Sequence, residues 1–287
     1  TLKSFVRSDL FEQCRPVVFS PVEVLDYYNA RLGLQLELQQ CSNAHDAREG
    51  VINVIPVQGT FDEDPGIVNG QTVHRNEFGI SGGTFWSPRG NYLAFYRKDE
   101  TMVSDYPLVN VNSRVAELNN IKYPMAGMAS HEVQLGIYDV GSGKTHFIQT
   151  GEPADQYLTC VSWDPDEHYV YIAVLNRDQD HMKMNKYDVR TGKLVKTLFE
   201  EKSEKYLETE DDLVFLNKDP EQFIWISERD GYRHLYLFTT GGELIRQLTS
   251  GEWVVRDLLG IGPKDTFLLT RKTPGPPGFA VSSWATP

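Results

Sequence analysis

A strand-turn-strand pattern occurs twice in this chain, and a second periodicity accompanies it. The strand ending in Phe85-Trp86 breaks at Ser87-Pro88-Arg89-Gly90 and resumes as Tyr92-Leu93-Ala94-Phe95-Tyr96. Downstream, Val161-Ser162-Trp163, Asp164-Pro165-Asp166-Glu167 and Tyr169-Val170-Tyr171-Ile172-Ala173 repeat it. Tyr138-Asp139-Val140 before Gly141-Ser142-Gly143-Lys144 returns as Tyr187-Asp188-Val189 before Arg190-Thr191-Gly192-Lys193, an offset of 49 residues from Tyr138 to Tyr187. A looser third copy runs Leu235-Tyr236-Leu237-Phe238 before Thr240-Gly241-Gly242-Glu243. Each copy is a strand, a glycine-containing tight turn and a second strand, the composition that closes β-hairpins. A repeat of about 40 to 50 residues carrying four strands is the period of a β-propeller blade.

The expected fold is therefore all-β, a propeller segment of four-stranded antiparallel blades. One blade combines Thr84 to Tyr96 with Val133 to Thr150, the next covers Tyr157 to Phe199, and a third covers Leu213 to Thr249. A fourth opens over Val255 to Thr270. About three clear blades are too few to close a ring, since propellers use roughly four to eight. The chain reads as an incomplete piece of a larger propeller, with open strand edges that make self-association as a homo-oligomer an expectation. Residues 60–270 are assigned to this segment, 1–59 to a poorly assigned N-terminal region with partial strands, and 271–287 to an irregular tail rich in proline and glycine. In the N-terminal region Pro21 to Ala30 reads as a short helix, and Leu32, Leu34, Leu36 and Leu38 alternate as in a half-buried strand. An excursion over 101–130 interrupts the first blade. It reads as an inserted arm or a solvated irregular loop, with Pro107 and Pro124 arguing against regular structure.

Composition excludes several function classes. A chain of 287 residues with 40% hydrophobic content can bury a large core, and a net charge of -12 with a pI near 5.1 opposes a nucleic-acid or anionic-membrane partner. Cys14, Cys41 and Cys160 have no CxxC spacing, so neither a disulfide scaffold nor a zinc knuckle is expected. No apolar run approaches the length of a membrane span and the N-terminus lacks a signal-peptide core, so either export is absent or the first residues are missing. No cofactor is expected.

Motifs that suggest chemistry fail on context. Gly79-Ile80-Ser81-Gly82-Gly83 matches G-x-S-x-G, but a strand follows the serine where a nucleophile elbow needs a helix, leaving Ser81 as a turn residue. Gly143-Lys144-Thr145 resembles the end of a phosphate loop, yet Tyr138 stands where its first glycine belongs. His181 reads as a surface or edge residue. The acidic run Glu200 to Asp212, seven carboxylates against Lys202 and Lys205, reads as a solvated inter-blade loop with one aromatic, Tyr206. Asp230-Gly231 suits a tight turn that Arg229 braces. Glu77, between Asn76 and Phe78 at the rim of a blade, remains. A carboxylate there can accept charge-assisted hydrogen bonds from a ligand ammonium, which carries three donors.

Taken together, VHRNEFGISGGTFWSPRGNYLAFYRKDETMVSDYPLV, KYPMAGMASHEVQLGIYDV, TGEP, LNRDQ, FIWISERDGYRHLYLF and TGGELIRQLTSGEW resemble the propeller domain of the dipeptidyl peptidase IV group within the prolyl oligopeptidase family of serine peptidases. The likeness is to bacterial members that include prolyl tripeptidyl aminopeptidases, and it covers roughly Asp64 to Gly262. The resemblance implies a propeller that caps an α/β-hydrolase domain, filters substrates by size and holds the free amino terminus of a peptide. In the dipeptidyl enzymes a pair of adjacent glutamates does this. Here the pair position reads Asn76-Glu77, so Glu77 is the implied anchor, and Tyr206 falls near the family's aromatic at the substrate pocket. The single glutamate is similar to the tripeptidyl enzymes.

No serine elbow in hydrolase context, and no downstream Asp and His to serve it, occurs in the chain, so it is expected to have no peptidase activity alone. The implied partners are a peptide with a free N-terminus and a hydrolase domain of the same polypeptide. The implied location is the periplasm or cell surface. The alternative function is a stand-alone propeller that serves as a protein-interaction module.

Overall fold

The computed structural model of the chain describes residues 15–20, 22–31, 33–42, 46–55, 66–262, 266–272 and 279–285. Two compact units are present, Thr1–Pro65 with Asp139–Lys144, and Gly66–Tyr138 with Thr145–Pro287. No described helix is long and apolar enough to cross a membrane.

The first unit holds β1 (Val17–Phe19), helix α1 (Val22–Arg31), β2 (Leu38–Gln40) and β3 (Ile52–Ile55). Its sheet runs β1-β3-β2, with both outer strands parallel to β3. The helix read from Pro21 to Ala30 is α1. The strand read from Leu32 to Leu38 is corrected: Leu32 lies outside the described residues, and pairing begins at Leu38. The reason is local. Asn29 donates through Nδ2 to the Leu36 carbonyl (2.8 Å) and accepts the Leu36 N–H (3.0 Å), taking the groups a ladder would use. Leu25, Ile52 and Val54 form the small core beneath.

The second unit is built from antiparallel sheets. The first contains β4 (Ile67–Asn69), β5 (Thr84–Trp86), β6 (Tyr92–Asp99), β9 (Glu132–Asp139) and β10 (Lys144–Phe147), ordered β10-β9-β6-β4 with β5 also on β6. The second is the meander β11 (Tyr157–Trp163), β12 (Tyr169–Leu175), β13 (His181–Asp188) and β14 (Leu194–Lys202). The third is the meander β15 (Val214–Phe215), β16 (Gln222–Ser227), β17 (His234–Thr239) and β18 (Leu244–Gln247). These are propeller blades, and the repeat predicted their strands closely. A fourth sheet joins β19 (Val254–Gly262), β20 (Thr266–Lys272) and β21 (Phe279–Ala285).

Neighbouring blades share cores, which is why β11, β12, β16 and β17 are buried along nearly their whole length. Tyr96, Leu135 and Ile137 of the first blade pack with Leu158, Trp163 and Ile172 of the second. Tyr171, Met182 and Met184 of the second pack with Phe223, Trp225 and Phe238 of the third. Polar tips tie the same interfaces: Tyr96 Oη donates to the Leu158 carbonyl (2.8 Å), Trp163 Nε1 to the Phe85 carbonyl (3.1 Å), and Trp225 Nε1 to Glu201 (2.8 Å). Buried tyrosine and tryptophan keep a hydrogen-bond partner in this way while their rings fill the seam.

Two expectations fail at the edges. The excursion 101–130 is not irregular: β7 (Asp105–Val109) and β8 (Leu118–Lys122) pair as an exposed two-stranded ribbon, with Pro107 opposite Asn120. A ribbon has one unpaired side on each strand, where the missing proline N–H costs nothing. Within the tail expected to be irregular over 271–287, the described residues 271–272 and 279–285 are strand, and β21 pairs with β20 from Lys272–Phe279 to Thr266–Ala285. Its FAVSSWA composition suits a strand, and β20 otherwise ends the sheet with an open edge.

Candidate functional site

The segment that enters the first blade is bent in an uncommon way. His74, Arg75 and Asn76 have φ of 50°, 58° and 63°, Glu77 is extended at -76°, and Phe78 and Gly79 return to 57° and 69°. A left-handed conformation costs an L-residue about 1–2 kcal/mol, and four of these five are not glycine. Strain of that size persists only where surrounding contacts enforce it. Three internal bonds, Asn76 N–H to Val73 O (3.0 Å), Glu77 N–H to His74 O (3.1 Å) and Ile80 N–H to Glu77 O (3.1 Å), close the loop, and buried Val73 and Ile80 pin its two ends.

Its centre is held by rings. His74 is buried, stacked on His131 at 5.0 Å and edge-on to Tyr157 at 4.9 Å, and Phe78 packs on the same Tyr157 at 4.9 Å. Arg75 lies over Tyr123, next to the foot of the arm, at 4.5 Å. Burial holds the His74 imidazole well below its ordinary range, with the charges of His131 and Arg177 acting in the same direction. Burial first, and then Lys98, lowers His131 to about 4.

Asn76 and Glu77 stand out from this packed base. Both are exposed, and the Glu77 carboxylate has no hydrogen-bond or ion-pair partner among the described residues. The opposite wall is the inter-blade segment after β14. Its Thr209 is buried and accepts from Thr159 Oγ1 (2.8 Å), its Leu213 N–H reaches Ser162 Oγ (3.0 Å), and its Leu207 N–H reaches the Gln179 carbonyl (2.7 Å). So pinned, the segment turns Tyr206, Glu208 and Glu210 outward. The walls meet at Gly79, where a Cβ would lie 2.1 Å from the Glu210 carbonyl oxygen. Only glycine fits there, which gives the glycine-rich stretch a structural role without a nucleophile.

Between the walls lies a cleft of about 460 Å³ lined by Asn76, Glu77, Gln179, Tyr206, Glu208 and Glu210. The structure thus brings together all three residues singled out from sequence, Asn76, Glu77 and Tyr206, across about 130 positions of chain. Glu210 is shared with Arg233 at 3.4 Å, whereas Glu208, like Glu77, has no ion-pair partner among the described residues. Tyr206, 61% exposed, also borders an adjoining cleft of about 390 Å³. There Arg229 does more than brace its turn. Its N–H and Nε donate to Ser227 Oγ (3.2 and 3.0 Å), and its guanidinium reaches Glu201 over the Tyr236 ring at 4.7 Å.

The rejected motifs have ordinary roles. Gly141 and Ser142 donate their N–H groups to Asp139 Oδ1 (2.9 and 3.0 Å), closing the turn before Lys144. His181 pairs with Glu200 at 2.7 Å. Sequence reasoning missed Gln179 and the His74–His131 pair. Gln179 stands in a turn organised by Asn176, which accepts the N–H groups of Asp180 and His181 (3.0 Å each). The histidines are 57 residues apart and no local pattern links them. Among the described residues no group of three or more His, Cys, Asp or Glu could hold a metal ion.

Residues 52–270 match the model of the dipeptidyl peptidase IV (DPP IV) N-terminal region. A Bacteroides ovatus protein assigned provisionally as a dipeptidyl aminopeptidase IV is 47% identical, with a TM-score of 0.70 over 73% of this chain and 32% of that one. Porphyromonas gingivalis dipeptidyl peptidase 4 is 27% identical, with a TM-score of 0.70 over 78% of this chain and 32% of its own. Dipeptidyl-aminopeptidase B of Aspergillus niger is 30% identical over 210 residues, 61% of this chain and 22% of that protein. The chain therefore spans less than a third of the length of each of these relatives.

Proposed function

Because the chain belongs to the family of dipeptidyl peptidase IV N-terminal regions, we propose that it is the substrate-gating, amine-recognising propeller portion of a proline-preferring di- or tripeptidyl serine exopeptidase. The carrying observation is the Glu77 carboxylate, exposed without a partner in a cleft that also holds Asn76 and Tyr206. A peptide ammonium brings three donors and a full charge. Glu77 can accept one of them as a charge-assisted bond, the Asn76 side-chain oxygen a second, and the Tyr206 ring offers an apolar flank to the first side chain. Glu208 adds negative potential that favours a cationic terminus over an acylated one. With asparagine in place of a second adjacent glutamate, the site does not impose strict dipeptide release.

In this reading the chain measures and admits the peptide and performs no bond cleavage. A hydrolase domain of the same polypeptide supplies nucleophile, base and oxyanion donors. A periplasmic or cell-surface location and a homo-oligomeric state belong to the same reading, and fractionation and light scattering test them. The central test is Glu77→Gln in the intact protein. It removes the charge and keeps the shape, so kcat/KM for peptides with a free amino terminus should fall about 10- to 100-fold, the size of a lost charge-assisted bond, while N-acetylated peptides respond little. An unchanged kcat/KM for free-amine peptides would remove Glu77 from the site.

A further inference from the structure

Two backbone donors fix the tautomers of the buried histidine pair. The Leu158 N–H points to His74 Nε2 (3.4 Å), and the His74 N–H points to His131 Nε2 (3.3 Å). A backbone N–H can only donate, so both of these ring nitrogens carry lone pairs. His74 must then hold its proton on Nδ1, which faces the same His131 Nε2 at 3.1 Å. His131 Nε2 is therefore the acceptor for both the backbone and the ring of His74. No other side chain among the described residues bonds to the main chain of the left-handed run His74–Asn76.

We propose that His131 is a positioning residue for the Glu77 carboxylate, the acceptor that holds His74 and so fixes the left-handed run from which Asn76 and Glu77 project. This rests on the reading of Glu77 as the ammonium ligand. His131 stands one residue before β9, where the arm rejoins the blade, and Arg75 on Tyr123 grips the other side of the arm's foot. The anchor loop is thus clamped by the base of the arm at two points. A cleft of about 290 Å³ lined by His74, Arg75, Lys98, Glu100, Lys122 and His131 adjoins the clamp.

The clamp works only with an uncharged His131. A proton on Nε2 would convert the acceptor into a donor facing two donors. The surrounding groups act against that proton. Lys98, paired with Glu100 at 2.6 Å, comes from the end of β6, Arg177 from the turn after β12, Arg75 from the loop itself, and Lys122 from the arm, while Tyr157 of β11 covers the His74 ring. Glu100 is the one carboxylate among them that favours the proton.

The test compares the intact protein with His131→Leu, His131→Gln and Glu77→Gln. Binding of an Ala-Ala-Pro tripeptide and of its N-acetyl form is measured by calorimetry near neutral pH, and amide exchange is followed over residues 73–80, with β11–β14 as the check that the blade is folded. Leucine removes the acceptor. It should weaken the free-amine peptide about tenfold, leave the acetylated one unchanged and speed exchange at 74–80. Glutamine restores an acceptor oxygen that cannot be protonated in this range. It should bind within about twofold of the parent and keep the loop protected as the pH falls through about 4, where the parent loses protection. Parent-like binding by His131→Leu, an equal loss for both peptides, or equal weakening by leucine and glutamine would each overturn the proposal. If Glu77→Gln binds the free-amine peptide as tightly as the parent, the ammonium reading falls, and exchange at 74–80 alone then decides whether His131 holds the turn.

Discussion

Strand β5 is flanked by two turns that solve the same geometric problem in opposite ways. The turn after it, Ser87 to Asn91, is closed by its own residues: Ser87 accepts the Gly90 N–H at its carbonyl (2.9 Å) and the Tyr92 N–H at Oγ (2.9 Å), and the one left-handed residue is a glycine. Its copy in the next blade does likewise, with Asp164 accepting the N–H groups of Tyr169 (2.8 Å) and Glu167 (3.1 Å). The loop before β5 has five left-handed residues, four of them not glycine, and relies on His131, just before β9, and Tyr157 of β11. A turn that supports itself is free to recur as architecture. A turn that must be supported from outside can hold a carboxylate where no local rule would place it, and the strain marks where geometry has been fixed for use.

Paired glycine substitutions test this contrast with the largest expected effect. Gly79 and Gly90 both have positive φ, 69° and 74°, but a Cβ at Gly79 meets the Glu210 backbone at 2.1 Å while nothing lies within 4 Å of one at Gly90. Gly90→Ala should cost only the left-handed penalty, about 1 kcal/mol. Gly79→Ala adds a clash between two fixed main chains and should cost about 4 kcal/mol in urea unfolding, with loss of peptide binding. Equal losses would mean that the walls of the cleft yield and that the loop is not externally enforced.

The pH dependence of stability separates the two turns next. His131 is lowered in the folded protein to about 4, against about 6.5 unfolded, so between these values the unfolded chain binds more protons. Stability should therefore fall on acidification from about pH 6.5 and level off below about 4, with a slope of up to about 1.4 kcal/mol per pH unit from this group. His131→Gln should remove that slope. An unchanged slope would show that the histidine titrates as if exposed.

Glu167 has the same sign but acts in a lower pH window. It stands at φ 63° in the position of Gly90, and its two oxygens accept from the Arg89 N–H (2.5 Å) and Asn91 Nδ2 (2.6 Å), so the two copies of the turn dock on one carboxylate. Burial raises its pKa, but hydrogen bonds from Ser87, Asn91 and Arg89 outweigh burial and hold it below the ordinary value. Its stabilisation is present above the ordinary carboxylate range and is lost as pH falls through the lowered folded value. Glu167→Ala should cost about 2 kcal/mol near neutral pH, and less in acid. A cost that persists undiminished in acid would assign it to packing.

The contrast between the turns also decides what was legible in the sequence. Hairpin grammar and the 49-residue offset from Tyr138 to Tyr187 placed three blades almost strand for strand, because those signals are written within a few residues of where they act. Strand pairing at the arm and the tail was missed because Pro107 and the Pro-Gly stretch read locally as breakers, while an unpaired ribbon side accommodates Pro107 and the open β20 edge pairs with β21. At the site, Asn76, Glu77 and Tyr206 were reached through the family resemblance. The forces that place them were not. The contact of His74 with His131 and that of Gly79 with Glu210 join residues 57 and 131 positions apart, and neither periodicity nor composition encodes such pairs.

The smallest expected effect asks how much of the docking between the repeated turns is charge. Arg89 and Asp166 form an ion pair across them, but both side chains are more than half exposed, at 59% and 55%. Solvent screening and the entropy of ordering two long chains leave such a pair with little net value. The Arg89 contact that matters is its backbone N–H to Glu167, which substitution of the side chain leaves in place. Arg89→Ala should therefore change unfolding free energy by less than about 0.5 kcal/mol and be insensitive to salt. A larger, salt-dependent loss would make the interface between the copies electrostatic, and the carboxylate of Glu167 would then act through its charge on Arg89 more than through the main chain it caps.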